Sequence, residues 1–455
     1  MQRSSIATVL ENNICVGCGA CAIVSPERFR IEMTQAGQFA ARALSESDGA
    51  DIAHLCPMSG VGLNETAIAT AQFPDLADTS EIGRYQSTLA ARVSVSDYRE
   101  MGGSGGMGSW IAAELLQRNE VDGVLHVRAC DPADNNGLLF HYTVSNTVEE
   151  VRAGAKSRYY PITMTEALPE ILATQKRYCV VGLPCFIKSI KLMENQGVIP
   201  PGRITHTIGL VCGHLKSRYF AEYLALQKGV APDTLDSLDF RHKLPGRRAS
   251  DYGFSFTRRG ESEQEVARMA EMHAKDWGEG QFKYPACEFC DDVLAECADV
   301  VIGDAWLPQY NDDYRGTNIV VTRSAAMEAL VRRGIEEGAV EADPLTVADV
   351  VASQNSGLRH RREGLAHRLA VRLKQGKWVP QKRVAPCIAP TAARRIIYHL
   401  RQRLAERSSL QYAAVRRGSN PISAYRRRIA IDLVPYKIAT KAPALMRRLR
   451  RLIFN

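Results

Sequence analysis

Three cysteines in seven residues, Cys15-Val-Gly-Cys18-Gly-Ala-Cys21, constrain this chain more than any other feature. A glycine-containing turn can aim thiols at this spacing to one side of a metal centre, and it has little apolar surface with which to fold alone. The chain holds 12 cysteines in 455 residues, so the compartment decides how they are read. Its start, MQRSSIATVLENNICVG, lacks a basic region followed by an apolar run. No stretch approaches the ~18 uncharged apolar residues of a membrane-spanning helix. A soluble, cytoplasmic protein is the expectation, and there cysteines serve as metal ligands more often than as disulfides. With 45% hydrophobic residues, disorder and collagen-like sequence are excluded, and the length points to about two or three domains.

Bacterial ferredoxins carry C-x2-C-x2-C-x3-C-P, the fourth cysteine serving a second cluster. Here the fourth position is Ser25, before Pro26, and the next Cys-Pro is Cys56-Pro57. Counting back from Cys56, the remaining places of a second motif hold Glu46, Gly49 and Ile52. The pattern predicts one 4Fe–4S cluster on Cys15, Cys18, Cys21 and Cys56, against a zinc knuckle or unligated thiols. Cys287-Glu-Phe-Cys290 is a second C-x2-C needing two partners, and Cys185, Cys212 and Cys297 compete for the places. Cys185 and Cys212 each follow a short apolar strand, so they can converge on a loop-borne pair; a second 4Fe–4S cluster on Cys185, Cys212, Cys287 and Cys290 is predicted. Cys185 also stands where a helix N-terminus could activate a nucleophile. Cys130, Cys179 and Cys387 read as small buried residues.

A strand-like run, Leu89 to Ser96, leads into Gly102-Gly103-Ser104-Gly105-Gly106-Met-Gly108 and then the helical WIAAELLQRN and the strand VDGVLHVRA. Strand, glycine turn, helix and strand form the unit of a parallel sheet. Glycines let backbone N–H groups approach a phosphate at a helix N-terminus, which predicts a nucleotide cofactor. A dinucleotide reading of this loop places Asp131 as its acid. Lys156, Ser157 and Tyr159, in RAGAKSRYYP, add phosphate contacts or form a solvated loop. The expected fold is mixed α/β (α+β). Its parts are a ferredoxin-like segment at 1–80, a nucleotide-cofactor-binding βαβ domain at 81–200, a second iron–sulfur domain at 201–358 and a basic helical tail at 359–455.

With these residues placed, the chain resembles the beta-subunit family of coenzyme F420 hydrogenases and dehydrogenases over roughly residues 10–325. The resemblance rests on CVGCGAC and CP, GGSGGMGSWIAAELLQRNEVDGV, AGAKSRYYP, VVGLPC, IGLVCGH, DFRHK and CEFCDDVLAECADVVIGDAW. It implies an iron–sulfur flavoprotein that passes electrons among two 4Fe–4S clusters, FAD and an organic substrate or deazaflavin-type acceptor. It further implies that Gly102 to Gly106 and Lys156 to Tyr159 belong to the FAD site, and it favours Cys185 over Cys297 in the second set. The GDAWLPQY ending resembles a bacterial subgroup tied to polysaccharide biosynthesis. A ferredoxin-like or other electron donor and a small or lipid-linked organic substrate would be the partners. No proton donor follows; His214 and Asp304 stand near the site segments, where each also serves as an ordinary structural residue.

The formal charge of +8 conceals a division: residues 359–455 hold 25 Lys and Arg against 3 acids, while residues 1–358 are net −14. Two apolar stripes in the tail, Ile397-Leu400-Leu404 and Leu445-Leu449-Leu452-Ile453, have helical spacing. A basic amphipathic helix lies on an anionic membrane, docks on an acidic body or stays solvated; no motif supports nucleic-acid binding. The overall function is an FAD- and 4Fe–4S-dependent oxidoreductase, against a non-catalytic relay subunit of a larger dehydrogenase, or a zinc-stabilised binding module without flavin.

Overall fold

The computed structural model describes residues 4–389 and 391–454, with 442–454 described by backbone alone. Eight strands form the central sheet: β1 (Ser87–Val93), β2 (Gly123–Ala129), β3 (Phe140–Ser145), β4 (Tyr178–Gly182), β5 (Ile204–Leu210), β6 (Val300–Asp304), β7 (Asn318–Thr322) and β8 (Val340–Pro344). Their order is β8-β1-β7-β6-β5-β4-β2-β3. The four central strands β6, β5, β4 and β2 are parallel, and antiparallel strands complete both sides. Continuous runs such as VVI in β6 and IVV in β7 are buried throughout, the pattern of strands covered on both faces. Strands from either side of residue 200 interleave in this one sheet.

The predicted strand, glycine turn and helix are present as β1 and α1 (Met107–Gln117), but β2 does not pair with β1. Four strands stand between them, β7, β6, β5 and β4. β1 is antiparallel to β7, which is antiparallel to β6, so β1 runs with the parallel four and its glycine loop emerges at their carboxyl edge. Helix α2 (Pro184–Asn195) leaves the same edge after β4. Thus Gly102 to Gly106, Cys185, Cys212 and Asp304 converge there although distant in sequence, because parallel strands deliver all their following loops to one edge.

After β8 come α3 (Val347–Arg359), a π-helical turn at His360–Gly364 and α4 (Leu365–Lys374). The tail then folds into α5 (Ala392–Ala413) and α6 (Pro421–Phe454). Leu400 and Leu404 are buried and Ile397 partly so, in a cluster with Phe220, Phe282, Tyr412 and Tyr425. Charge complementarity assists: Arg416 pairs with buried Glu222 at 2.6 Å. Ser408 accepts from the Phe282 N–H at 2.7 Å. This part of the tail is docked on the body. The stripe Leu445, Leu449, Leu452 and Ile453 lies outside the described side chains. No helix among the described residues is long and apolar enough to cross a membrane.

Candidate redox site

Cys15, Cys18 and Cys21 sit on the turn entering the short helix Ala20–Val24. Gly17 and Gly19 adopt left-handed φ values of 71° and 101°. A Cβ on Gly17 would stand 2.6 Å from the Phe39 carbonyl oxygen, so this turn requires its glycine. The N–H groups of Gly17 and Ala41 each donate to Cys15 Sγ at 3.4 Å. Cys56 completes the group from the turn after Ala53–Leu55. Burial, then the neighbouring thiols, push Cys56 up to about 12; burial pushes Cys15 to about 11, and Cys18 and Cys21 also rise.

A second group assembles from three segments. Cys185 lies in the first turn of α2, Cys212 follows β5, and Cys287 and Cys290 come from the turn Pro285–Phe289. Burial first, then Cys212, Cys290 and Cys287, raise Cys185 well above an ordinary thiol. Cys212 rises to about 12 and Cys287 to about 11, again chiefly through burial. The Leu215 N–H donates to Cys287 Sγ at 3.2 Å. Arg361, 2% exposed on the π-helical turn, donates to the carbonyls of Cys212 and Gly213. Cys297 faces Glu65, Asp292 and Lys188 instead, in the core, and lies apart from this group.

Each group is therefore a set of four neighbouring thiols, and burial pushes Cys15, Cys18, Cys21 and Cys56 of one, and Cys185, Cys212 and Cys287 of the other, above the ordinary thiol range. Such an all-sulfur donor set suits soft iron–sulfur ligation. Among the described residues no three His, Cys, Asp or Glu side chains close tightly enough for a single metal ion. The two groups are neighbours: Cys18 contributes to the rise at Cys185. Ser189, one turn beyond Cys185 on α2, donates its hydroxyl to Cys18 Sγ at 3.5 Å.

Cys212 also lines a cavity of about 530 Å³ at the carboxyl edge of the sheet. Gly102, Gly103, Ser104, Gly106, Lys156, Ser157 and Tyr159 are all on its wall. Gly106 has φ 85° at the start of α1, and a Cβ on Gly105 would stand 2.7 Å from the Ala91 carbonyl oxygen. Arg241 donates to the Gly103 carbonyl at 3.2 Å and Lys243 to that of Ser104 at 2.9 Å. The planar peptides then turn their following N–H groups to the opposite side, as an anion requires. A Cβ on Gly103 would meet Ser157 Oγ at 2.9 Å, which brings the two predicted loops together. Lys156 holds φ 115°, a strained setting for lysine, while Asp239 anchors its ammonium at 3.1 Å.

Several wall residues had no clear signal in the sequence. Asp304 receives a two-pronged guanidinium contact from Arg241 at 3.0 and 3.1 Å. Trp277 packs against the Tyr159 ring at 4.7 Å and the His214 ring at 4.4 Å. His214 lines the cavity, and burial first and then Lys216 keep it uncharged well below its ordinary range. Lys283, His360, Lys216 and Arg401 complete this part of the wall. Arg241, His214 and Asp304 had a visible context, in DFRHK, IGLVCGH and GDAW; Trp277, Lys216, Lys283, His360 and Arg401 lie in segments whose spacing repeats nothing. Asp131 is exposed and off the wall, because β2 ends far from the glycine loop. Two of the spare cysteines depart from the expected burial: Cys387 is exposed and Cys130 half-buried, while Cys179 is in the core.

Residues 88–169 match the family model for the N-terminal part, and residues 175–348 that for the C-terminal part, of the coenzyme F420 hydrogenase/dehydrogenase beta subunit. Together they span more than half of the chain. Among solved structures, a chain of the F420-reducing [NiFe] hydrogenase complex from Methanosarcina barkeri is similar in fold, with 14% identity and a TM-score of 0.50. The likeness covers 67% of this chain and 98% of that one. Curated proteins give no significant match.

Proposed function

Because the chain belongs to the coenzyme F420 hydrogenase/dehydrogenase beta subunit family, iron–sulfur electron-transfer subunits of oxidoreductases, we propose that it is an FAD- and 4Fe–4S-dependent oxidoreductase. Cys15, Cys18, Cys21 and Cys56 would hold one cluster, Cys185, Cys212, Cys287 and Cys290 a second, and the glycine loop with Lys156, Ser157 and Tyr159 the FAD. An iron–sulfur cluster supplies one-electron transfer, and a flavin gathers single electrons into a pair. The observation that carries the reading is α2: it bears Cys185 of one group and, a turn later, the Ser189 donor to Cys18 of the other. Cys212 then extends the inner group to the cavity wall. These residues fix a continuous order from Cys18 through Cys185 to the cavity.

Anaerobic purification tests it: about eight irons per chain are expected for two cubanes, together with released FAD. Zinc without flavin would overturn the reading, and about four irons would remove one of the two groups. A relay role in a larger complex is the second reading, favoured by the fold shared with a chain of the hydrogenase complex. Reoxidation of the reduced protein by a small or lipid-linked organic substrate, with no partner protein added, would decide for the enzyme. The polysaccharide-related setting and a ferredoxin-like donor belong to this same reading.

Membrane contact through the tail is part of the proposal. Ile431, Val434 and Ile438 on α6 are 65%, 51% and 64% exposed, and Arg426, Arg427 and Arg428 beside them are exposed too. An apolar stripe edged with arginines suits an anionic bilayer surface, and a cytoplasmic protein held at the inner face of the membrane would reach a lipid-linked substrate. Flotation with anionic vesicles should carry the full-length protein; the Ile431→Asp/Ile438→Asp variant floating equally well would sink the idea.

A further inference from the structure

The cavity wall is strongly cationic: six Lys and Arg line it against one acid, Asp304. Some of this charge is internally balanced. Arg241 is taken by Asp304, Lys156 by Asp239 and Lys283 by Glu288. The wall then continues from Arg241 through Tyr159, whose Oη lies 3.5 Å away, to Trp277 and on to His214 and Lys216. This far stretch has no such balance. Lys216 is 2% exposed and its Nζ lies over the Trp277 ring at 4.9 Å, donating to the Gln281 carbonyl. Its acidic neighbours, Asp276 and Glu279, act on it only from beyond ion-pair distance, and burial with Lys283 prevails, bringing the ammonium down to about 7. His214 Nε2 is buried with no hydrogen-bond partner among the described residues. Arg401, from α5, reaches the same wall, and among the described residues its guanidinium is held only by the Tyr436 hydroxyl, at 3.2 and 3.3 Å. Gly278 makes room for it: a Cβ there would stand 3.0 Å from Arg401 Nη2 and 3.1 Å from that hydroxyl.

A buried cation, an unsatisfied ring nitrogen and an unpaired guanidinium around one space are costly unless an anion joins them. We propose that the end of the cavity formed by His214, Lys216, Trp277 and Arg401 binds an oxyanion group, phosphate or carboxylate, of the organic substrate, and that the tail supplies its specificity-determining arginine. The family match ends at residue 348, so this residue distinguishes the chain from what the shared domains provide. The assignment deepens the oxidoreductase reading by naming the substrate class; it uses the flavin only to account for the glycine-loop end.

Equilibrium dialysis of full-length, anaerobically purified protein against radiolabelled inorganic phosphate, and separately radiolabelled acetate, tests it, with flavin and iron counted on the same samples. Saturable binding of at least one anion is expected. Arg401→Gln should weaken it about tenfold or more, since a charge-assisted hydrogen bond is removed. Arg417→Gln, an equal charge change at an exposed tail position, should leave it intact. Lys216→Met should weaken binding without lowering the thermal midpoint, because it removes a desolvated cation, and this variant guards against misfolding of the other. Flavin-loaded protein that binds neither anion, or equal losses in the Arg401 and Arg417 variants, would overturn the assignment. Saturable, Arg401-dependent binding in protein devoid of flavin would keep it while removing the flavin reading. The tighter of the two anions identifies the group.

Discussion

The two thiol groups reach the same donor set by different means. The outer group is local: three cysteines share one turn, left-handed Gly17 and Gly19 shape it, and backbone N–H groups of Gly17 and Ala41 face the sulfur. The inner group spans residues 185–290, and buried charge surrounds it. Glu288, between Cys287 and Cys290, is 1% exposed and meets Lys283, His360 and Arg368. Burial alone would raise its pKa; Arg368, Lys283 and His360 hold it well below the usual carboxylate range. A turn can organise neighbours in sequence with peptide groups alone. Distant segments need strong, specific contacts, and a low-dielectric interior makes ion pairs specific even where they add little net stability.

That contrast can be broken by experiment. Cys185→Ser and Cys18→Ser should each remove one cluster, lowering iron from about eight to about four per chain; loss of all iron in either variant would show one shared site. Glu288→Gln leaves two buried cations, Lys283 and Arg368, without their carboxylate, so it should destabilise the fold by about 3–5 kcal/mol in denaturant unfolding. Among the described residues no fully buried ion pair supports the outer turn. Arg361→Met should cost less, about 1.5–3 kcal/mol for charged donors lost from the Cys212 and Gly213 carbonyls. It should also lower the potential of the inner cluster alone in an electron-paramagnetic-resonance titration, since a nearby positive charge favours the reduced form. Ser189→Ala is the smallest change, about 1 kcal/mol, and should shift the outer cluster's potential while leaving the inner one in place. A shift confined to the inner cluster would reverse the assignment of that hydroxyl.

Legibility followed the same division. The outer turn could be read from spacing, because its contacts lie within a few residues. The glycine loop was readable for a related reason: left-handed φ at Gly106 and the close approach of Ala91 to Gly105 leave those positions to glycine. Its assumed strand partner was not readable. The helix after β1 leads to a strand five places away, and the long-range pairing that decides this leaves no periodic mark. Arg401, Trp277 and Lys216 became wall residues only when the tail and the 274–283 loop packed against the sheet edge. The charge division pointed to attraction between tail and body, and Arg416 with Glu222 gives that attraction a place.

By itself the sequence determined the spacing of the outer thiols, a mixed α/β chain built on β-branched strands, and a loop that only glycine can form. These follow from spacing, steric limits and composition, which act over a few residues. Tertiary structure alone decided that α2 links the two groups and that a basic tail reaches an interior cavity. Parallel strands gather remote loops at one edge, and burial then fixes which charges must find partners there.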